Sequence, residues 1–171
     1  PLGTPNSYEP QTHSDLYFDT LPSPAPADAQ TLYLTFDNTP SGQFSELLAV
    51  LDKYDVKATF FVWRGDSGGA PAIGSDYGAL LTAGHGTGIH SGEPSLPLSS
   101  LYASVDAFLD DFSLPFRAIE ETTGVRTRLY RLPGGSVNPY NRQRQDMLRQ
   151  VKEELDARGF VQFDWNASAQ D

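Results

Sequence analysis

"TLYLTFDNTPSGQFSELLAVLDKYDVKATFFVW", residues 31–63, holds two apolar β-rich runs on either side of one helical pattern. Residues 31–36 predict a strand. Residues 41–54 predict a helix, with Ser41 as its cap and Phe44, Leu47, Leu48 and Leu51 at helical spacing. Residues 57–63 form an unbroken apolar run, the pattern of a strand covered on both faces, and therefore of a parallel strand. Strand, helix and strand in that order make a parallel crossover unit. At its first turn one carboxylate, Asp37, stands beside one amide, Asn38.

The pattern repeats outward from there. A Gly-rich loop follows Trp63, then a short helix over 75–84 and a short strand over 86–91 whose last turn holds His90. The stretch "EPSLPLSS" breaks the chain, and apolar positions Leu101, Val105, Phe108, Leu109 and Phe112 mark a helix to about Thr122 that Pro115 should kink or restart. "RLYRLPGG" (128–135) reads as a strand entering a Pro-Gly-Gly turn. Asn141 should cap a helix carrying Met147, Leu148, Val151 and Leu155 as far as Gly159, and "FVQFDW" (160–165) is the last strand. Five strands separated by helical segments predict a parallel α/β architecture over residues 31–171. Residues 1–30, with "LPSPAPADAQ", read as a Pro-rich linker or tail that adds little to the core.

Charge narrows the partners. With 22 Asp and Glu against 12 Lys and Arg, the net charge of −10 offers no basic patch for phosphates, which argues against nucleic acid. A neutral or cationic polymer fits better. The absence of cysteine excludes disulfides and thiolate metal sites. No stretch reaches the roughly 18 apolar residues of a membrane span, and "PLGTPNSYEP" lacks the regions of a signal peptide.

In parallel α/β folds chemistry gathers at the carboxyl ends of the strands. Asp37, His90, Arg131 and Asp164 each fall at or just past a predicted strand end. A carboxylate, an imidazole and a guanidinium on one face supply a base, a metal ligand and a cation to orient the base. Each also has a plain structural alternative: Asp37 could cap the next helix, His90 could be a buried turn residue, and Arg131 could pair with a surface acid.

Taken in order, the 31–63 unit, "AGHGTGIHS", "LYRLPGG" and "FDWNAS", with the "SVDAFLDDF" helix between them, resemble the polysaccharide deacetylases of carbohydrate esterase family four. The resemblance implies a distorted parallel (β/α) barrel that removes acetyl groups from N-acetylglucosamine units of peptidoglycan, chitin or a related glycan. It also implies an extracellular or cell-wall location in a bacterium. The family's cofactor is a divalent metal, usually zinc, held by one Asp and two His. By that likeness Asp37 matches the general base, and Arg131 the residue that holds it. Asp164 matches the acid that orients the Arg, and Trp165 the wall of the sugar groove. Pro133 belongs to the arginine motif, with the Gly134 N–H where an oxyanion would bind. Trp63 and Tyr140 are further candidate sugar-stacking surfaces, and Trp63 and Trp165 are equally core candidates.

The metal ligands depart from the pattern. His90 matches the first family His, but Asn38 replaces the ligand acid, and Pro94 stands where the second His belongs. An amide brings no charge and is a poor zinc ligand. Glu93 is near enough in sequence to substitute but reads as a surface residue. The resemblance therefore implies a site weak in metal or empty of it, and catalysis impaired or lost. The competing expectation is an active deacetylase with a non-standard metal site. The likeness also stops before the family's leaving-group His, which leads to the expectation of a barrel incomplete on its C-terminal side and of an oligomer or completing chain.

Overall fold

A computed structural model of the chain describes residues 13–20, 32–39, 44–63, 75–91, 96–136 and 139–167. Five strands, β1 (Thr35–Thr39), β2 (Thr59–Trp63), β3 (Gly86–Ser91), β4 (Leu129–Tyr130) and β5 (Val161–Gln162), form one sheet in the order β1-β2-β3-β4-β5. Every pairing is parallel. A sheet whose neighbours in space are also neighbours in sequence winds in one direction, as barrels do, whereas a doubly wound sheet reverses its order at a switch point. The expected (β/α)-barrel type is therefore what these strands build.

The helices are α1 (Phe44–Lys53), α2 (Ser75–Thr82), α3 (Leu98–Leu101), α4 (Val105–Thr123) and α5 (Gln145–Ala157). Side chains alternate across each strand, so β2 divides its apolar run between two faces. Phe60 and Val62 join the helix-side core with Leu109, Phe112, Val151 and Leu155, whereas Phe61 lies outside that core. Phe61 is nonetheless fully buried, which places a second packed layer on the other face.

Three local expectations change. α4 runs unbroken through Pro115, because Phe112, Phe116 and Ile119 on both sides of the proline are anchored in the core. Tertiary packing outweighs the backbone hydrogen bond that a proline removes. The helix instead begins at Ser104, whose Oγ accepts from the Ala107 N–H at 3.0 Å, and ends at Gly124 with φ of 70°. Asn141 does not cap α5; it lies inside a 3₁₀ turn, Pro139–Arg144, and α5 starts after Arg144 without a side-chain cap. The expected cap Ser41, the Gly-rich loop after Trp63, and Glu93 with Pro94 lie outside the described residues.

The third change concerns the lead-in. Within residues 13–20, expected to add little to the core, Leu16 is fully buried and Phe18 meets Phe116 and Phe160 edge to face at 6.2 and 5.1 Å. Arginines hold the segment down. The Arg158 side chain is fully buried and donates from Nη1 to the His13 carbonyl at 2.8 Å. Arg117 makes a two-pronged pair with Asp15 at 2.6 and 2.9 Å, and Arg128 donates to the Thr20 carbonyl at 2.6 Å. The Arg128 guanidinium also lies 4.0 Å from the Phe18 ring centroid. A composition rich in proline gives no hint of this, since two apolar residues and a set of distant arginines decide it. No helix among the described residues is long and apolar enough to cross a membrane.

His85 marks the opposite sort of constraint. Its Nδ1 accepts from the Ala58 N–H at 3.2 Å, and burial, with the Lys57 ammonium second, holds it below the ordinary imidazole range. An unfolded histidine takes up a proton near pH ~6.5, and the folded one only at lower pH. Between those values the unfolded chain binds more protons, so stability present above the ordinary value is lost as pH falls through it.

Two outcomes follow for chemical denaturation. Leu16→Ala should lower the unfolding free energy by about 2–5 kcal/mol; a loss under ~0.5 kcal/mol would mean the segment is not packed in solution. The fall in stability from pH 7.5 to 5.5 should be smaller in His85→Gln, whose amide oxygen still accepts from Ala58, than in the parent. An unchanged difference would remove His85 as its source.

Candidate active site

The carboxyl ends of the strands bring the expected residues together around Arg131. Although only 3% of its side chain is exposed, its guanidinium is well supplied with partners. Nη1 donates to Asp37 Oδ1 at 2.5 Å, Nη2 to Thr35 Oγ1 at 3.0 Å and Nε to the Phe163 carbonyl at 2.9 Å. The Phe61 ring lies 4.2 Å from the guanidinium carbon and the Trp165 ring 5.2 Å. A buried cation survives only when its charge and its N–H groups are matched, and here β1, β2 and the segment after β5 share that task. Asp37 is thereby fixed in place as an acceptor.

β3 supplies His90. Its Nδ1 lies 3.0 Å from the Arg131 carbonyl oxygen. A carbonyl only accepts, so Nδ1 carries the proton and Nε2 keeps its lone pair. Burial, opposed by the field of Asp37, lowers the His90 pKa from its ordinary value, which favours the neutral ring. A neutral imidazole whose second nitrogen is anchored to backbone is the usual form of a histidine ligand.

The turn after β4 carries Pro133 and Gly134. Pro133 is buried, and its carbonyl accepts from the Tyr102 hydroxyl at 2.9 Å. Burial, with Asp111 next, raises the Tyr102 pKa, so that hydroxyl remains a donor. The turn closes by Gly135 N–H donating to the Leu132 carbonyl at 2.8 Å, with φ of 80° at Gly134 and 70° at Gly135. A Cβ on Gly135 would come within 3.0 Å of the Trp165 ring, so the glycine gives the indole its seat. Trp165 is 40% exposed, as a groove wall would be.

Asp164 departs from expectation. It accepts from the Ser136 N–H at 3.2 Å, from the Ser136 hydroxyl and from Gln162 Nε2 at 3.3 Å, and the role of orienting Arg131 falls to the Phe163 carbonyl and Thr35. Asp164 Oδ1 is buried without a partner among the described residues, beside an open cavity of about 690 Å³ along β5, lined by Ser136, Lys152, Gln162 and Asp164 among others. Residue identity shows that Asp164 is acidic, not which of two nearby donors it will choose. Thr35, Phe61 and Ser136 escaped the sequence reading. Thr35 sits two residues before Asp37 on the same face, the one signal that could have found it.

Among the described residues, no group of three or more His, Cys, Asp or Glu is placed to hold a metal ion. Asn38 belongs to β1, but its side chain, that of Tyr140, and residues Glu93 and Pro94 lie outside what is described. Trp63 ends β2 with its indole Nε1 buried and unpartnered among the described residues. His90 fits one ligand position well.

Comparison with known proteins bears on all of this. The polysaccharide deacetylase family model matches residues 25–152. The Bacillus subtilis (strain 168) protein YheN, named for the same family, is 30% identical over 145 residues, covering 83% of this chain and 46% of YheN. The crystal structure of the catalytic domain of a peptidoglycan N-acetylglucosamine deacetylase from Eubacterium rectale aligns with a TM-score of 0.68 and 36% identity, covering 81% of this chain and 61% of that one. The polysaccharide deacetylase Bc1974 of Bacillus cereus aligns with a TM-score of 0.63 and 26% identity over 78% and 59%. The chain thus spans about half to three-fifths of the length of these relatives. It belongs to the polysaccharide deacetylase family.

Proposed function

We propose that this domain engages N-acetylglucosamine-containing glycans, peptidoglycan or a chitin-like polymer, at or outside the bacterial cell wall, with metal-dependent deacetylation impaired or lost. The observation that carries this reading is a split in the site. Asp37, Arg131 and Trp165, which position a base and wall a groove, are present and packed together. Asn38 and Pro94 stand at the two positions where the family's remaining metal ligands belong. The Eubacterium rectale relative, whose title names peptidoglycan N-acetylglucosamine, supports the substrate class. The net charge of −10 favours a neutral or partly deacetylated, cationic glycan over an anionic one.

Asp37, held by Arg131, can accept a proton from a water or orient an acetamide N–H. The Gly134 N–H would donate to the carbonyl oxygen. A metal would add Lewis-acid activation worth several kcal/mol, and each ~1.4 kcal/mol is tenfold in rate. Residues that position without activating bind a glycan better than they cleave it.

One feature favours a second reading, an active enzyme with a non-standard site. The His90 ring keeps the protonation and anchoring of a ligand, which a site released from metal binding has no need to preserve.

Zinc content, glycan binding and acetate release from N-acetylglucosamine oligomers separate these readings. The parent chain should bind oligomers and release no more acetate than Asp37→Asn. Asn38→Asp combined with Pro94→His should take up zinc and accelerate acetate release by roughly a hundredfold or more, given the size of the Lewis-acid contribution. Stoichiometric zinc in the parent, with acetate release abolished by Asp37→Asn, would establish the enzyme reading instead. Binding of neither metal nor sugar would leave a structural role.

A further inference from the structure

Gly88 sits on β3 with Phe61 of β2 directly across the ladder, and Phe61 in turn pairs with Asp37 of β1. Asp37, Phe61 and Gly88 therefore form one row across three strands. Arg131 follows β4, and its N–H donates to the Ile89 carbonyl, next to that row. A Cβ on Gly88 would lie 2.5 and 2.6 Å from Cε1 and Cδ1 of Phe61, and 3.2 Å from the Leu129 carbonyl oxygen. The Phe61 ring thus occupies the space that any side chain at position 88 would need. It also meets the Arg131 guanidinium, whose carbon is 4.2 Å from the ring centroid. The same ring stacks against Phe163 at 6.2 Å and 20°, and the Phe163 carbonyl accepts from Arg131 Nε.

We infer that Phe61, given room by Gly88, is the positioning residue for Arg131 and through it for Asp37. This inference rests on the proposed role of Asp37 and Arg131 in the site. The three hydrogen bonds of Arg131 lie around the edge of the guanidinium, whereas its carbon lies over the Phe61 ring. An aromatic face under the guanidinium carbon adds a contact that the edge bonds do not supply, and its negative quadrupole suits a buried cation. Gly88 is needed for space and not for conformation, since its φ is not among the positive values. The motif "GTGIHS" therefore carries two functions, an imidazole at its end and a vacant position two residues earlier that admits an arginine platform from the neighbouring strand.

The Arg131 Hε resonance reads this contact directly, through its ring-current shift and its exchange with water. Phe61→Leu retains apolar bulk but removes the aromatic face. In that variant the Hε signal should move downfield and its exchange should quicken by roughly thirtyfold, the size of a desolvated cation–aromatic contact expressed as local opening. Phe61→Tyr should keep the parental signal, and Gly88→Ala should reproduce the Phe61→Leu signature because the ring is displaced. In the Phe61→Leu background, Gly88→Ala should add little. An unchanged Hε shift and exchange in a cooperatively folding Phe61→Leu protein would overturn the inference and leave Phe61 as a space filler. If Gly88→Ala fails to fold, Phe61→Leu still decides. The readout needs no turnover, so a parent chain that releases no acetate bears on the proposed function alone.

Discussion

A buried guanidinium that must be matched on all sides governs this molecule. Arg131 follows the fourth strand, yet its partners come from the first strand, the second strand and the segment beyond the fifth. Neutralising that charge requires Asp37 and Thr35 at the right depth of β1, a flat ring from β2 and a free carbonyl after β5. Removing one partner of such a pair costs ~3–5 kcal/mol, since the other charge is left buried and unmatched. Order in the site and order in the sheet are thus a single problem. The Asp37–Arg131 pair joins strands that are far apart in sequence, and it holds the Asp37 side chain at the carboxyl ends of the strands.

The two ends of the sheet are finished by different means. At the carboxyl ends, polar contacts and two aromatic faces surround Arg131. Elsewhere, Arg158, Arg128 and Arg117 tie residues 13–20 to the helices and to the approaches of β4 and β5. In both places arginine joins elements distant in sequence, using its planar fork for carbonyls and carboxylates and its face for phenyl rings. An acidic chain with only 12 basic residues spends several of them on its own architecture, which leaves still less positive surface for an anionic partner.

The parallel strand-helix alternation was legible because apolar runs such as residues 57–63 and the heptad-like spacing of α5 are strong local signals. β3 begins and ends where its short β-rich run does. Pro115 misled because a local rule about prolines carries no information on Phe112 and Phe116, whose burial holds the turn. Leu16 and Phe18 were hidden in a proline-rich stretch for the same reason: their partners lie about a hundred residues away. In the site, residue types read well and pairings less well. Asp37 with Arg131 followed from family likeness and stands in the geometry, whereas Asp164 turns to Ser136, a choice set by the Gly134–Gly135 turn. Asn38 and Pro94 differ from the residues that the family likeness leads one to expect there, and that difference is plain in sequence because amide and proline differ in chemistry from carboxylate and imidazole.

Asp37 and the buried Arg131 act as one mutually dependent pair. A double-mutant cycle with Asp37→Asn, Arg131→Met and both together, read by equilibrium denaturation, tests it most directly. The pair described here predicts a coupling free energy of about 2 kcal/mol or more. Additivity within ~0.5 kcal/mol would contradict it, and would mean that each residue is held by the fold without the other.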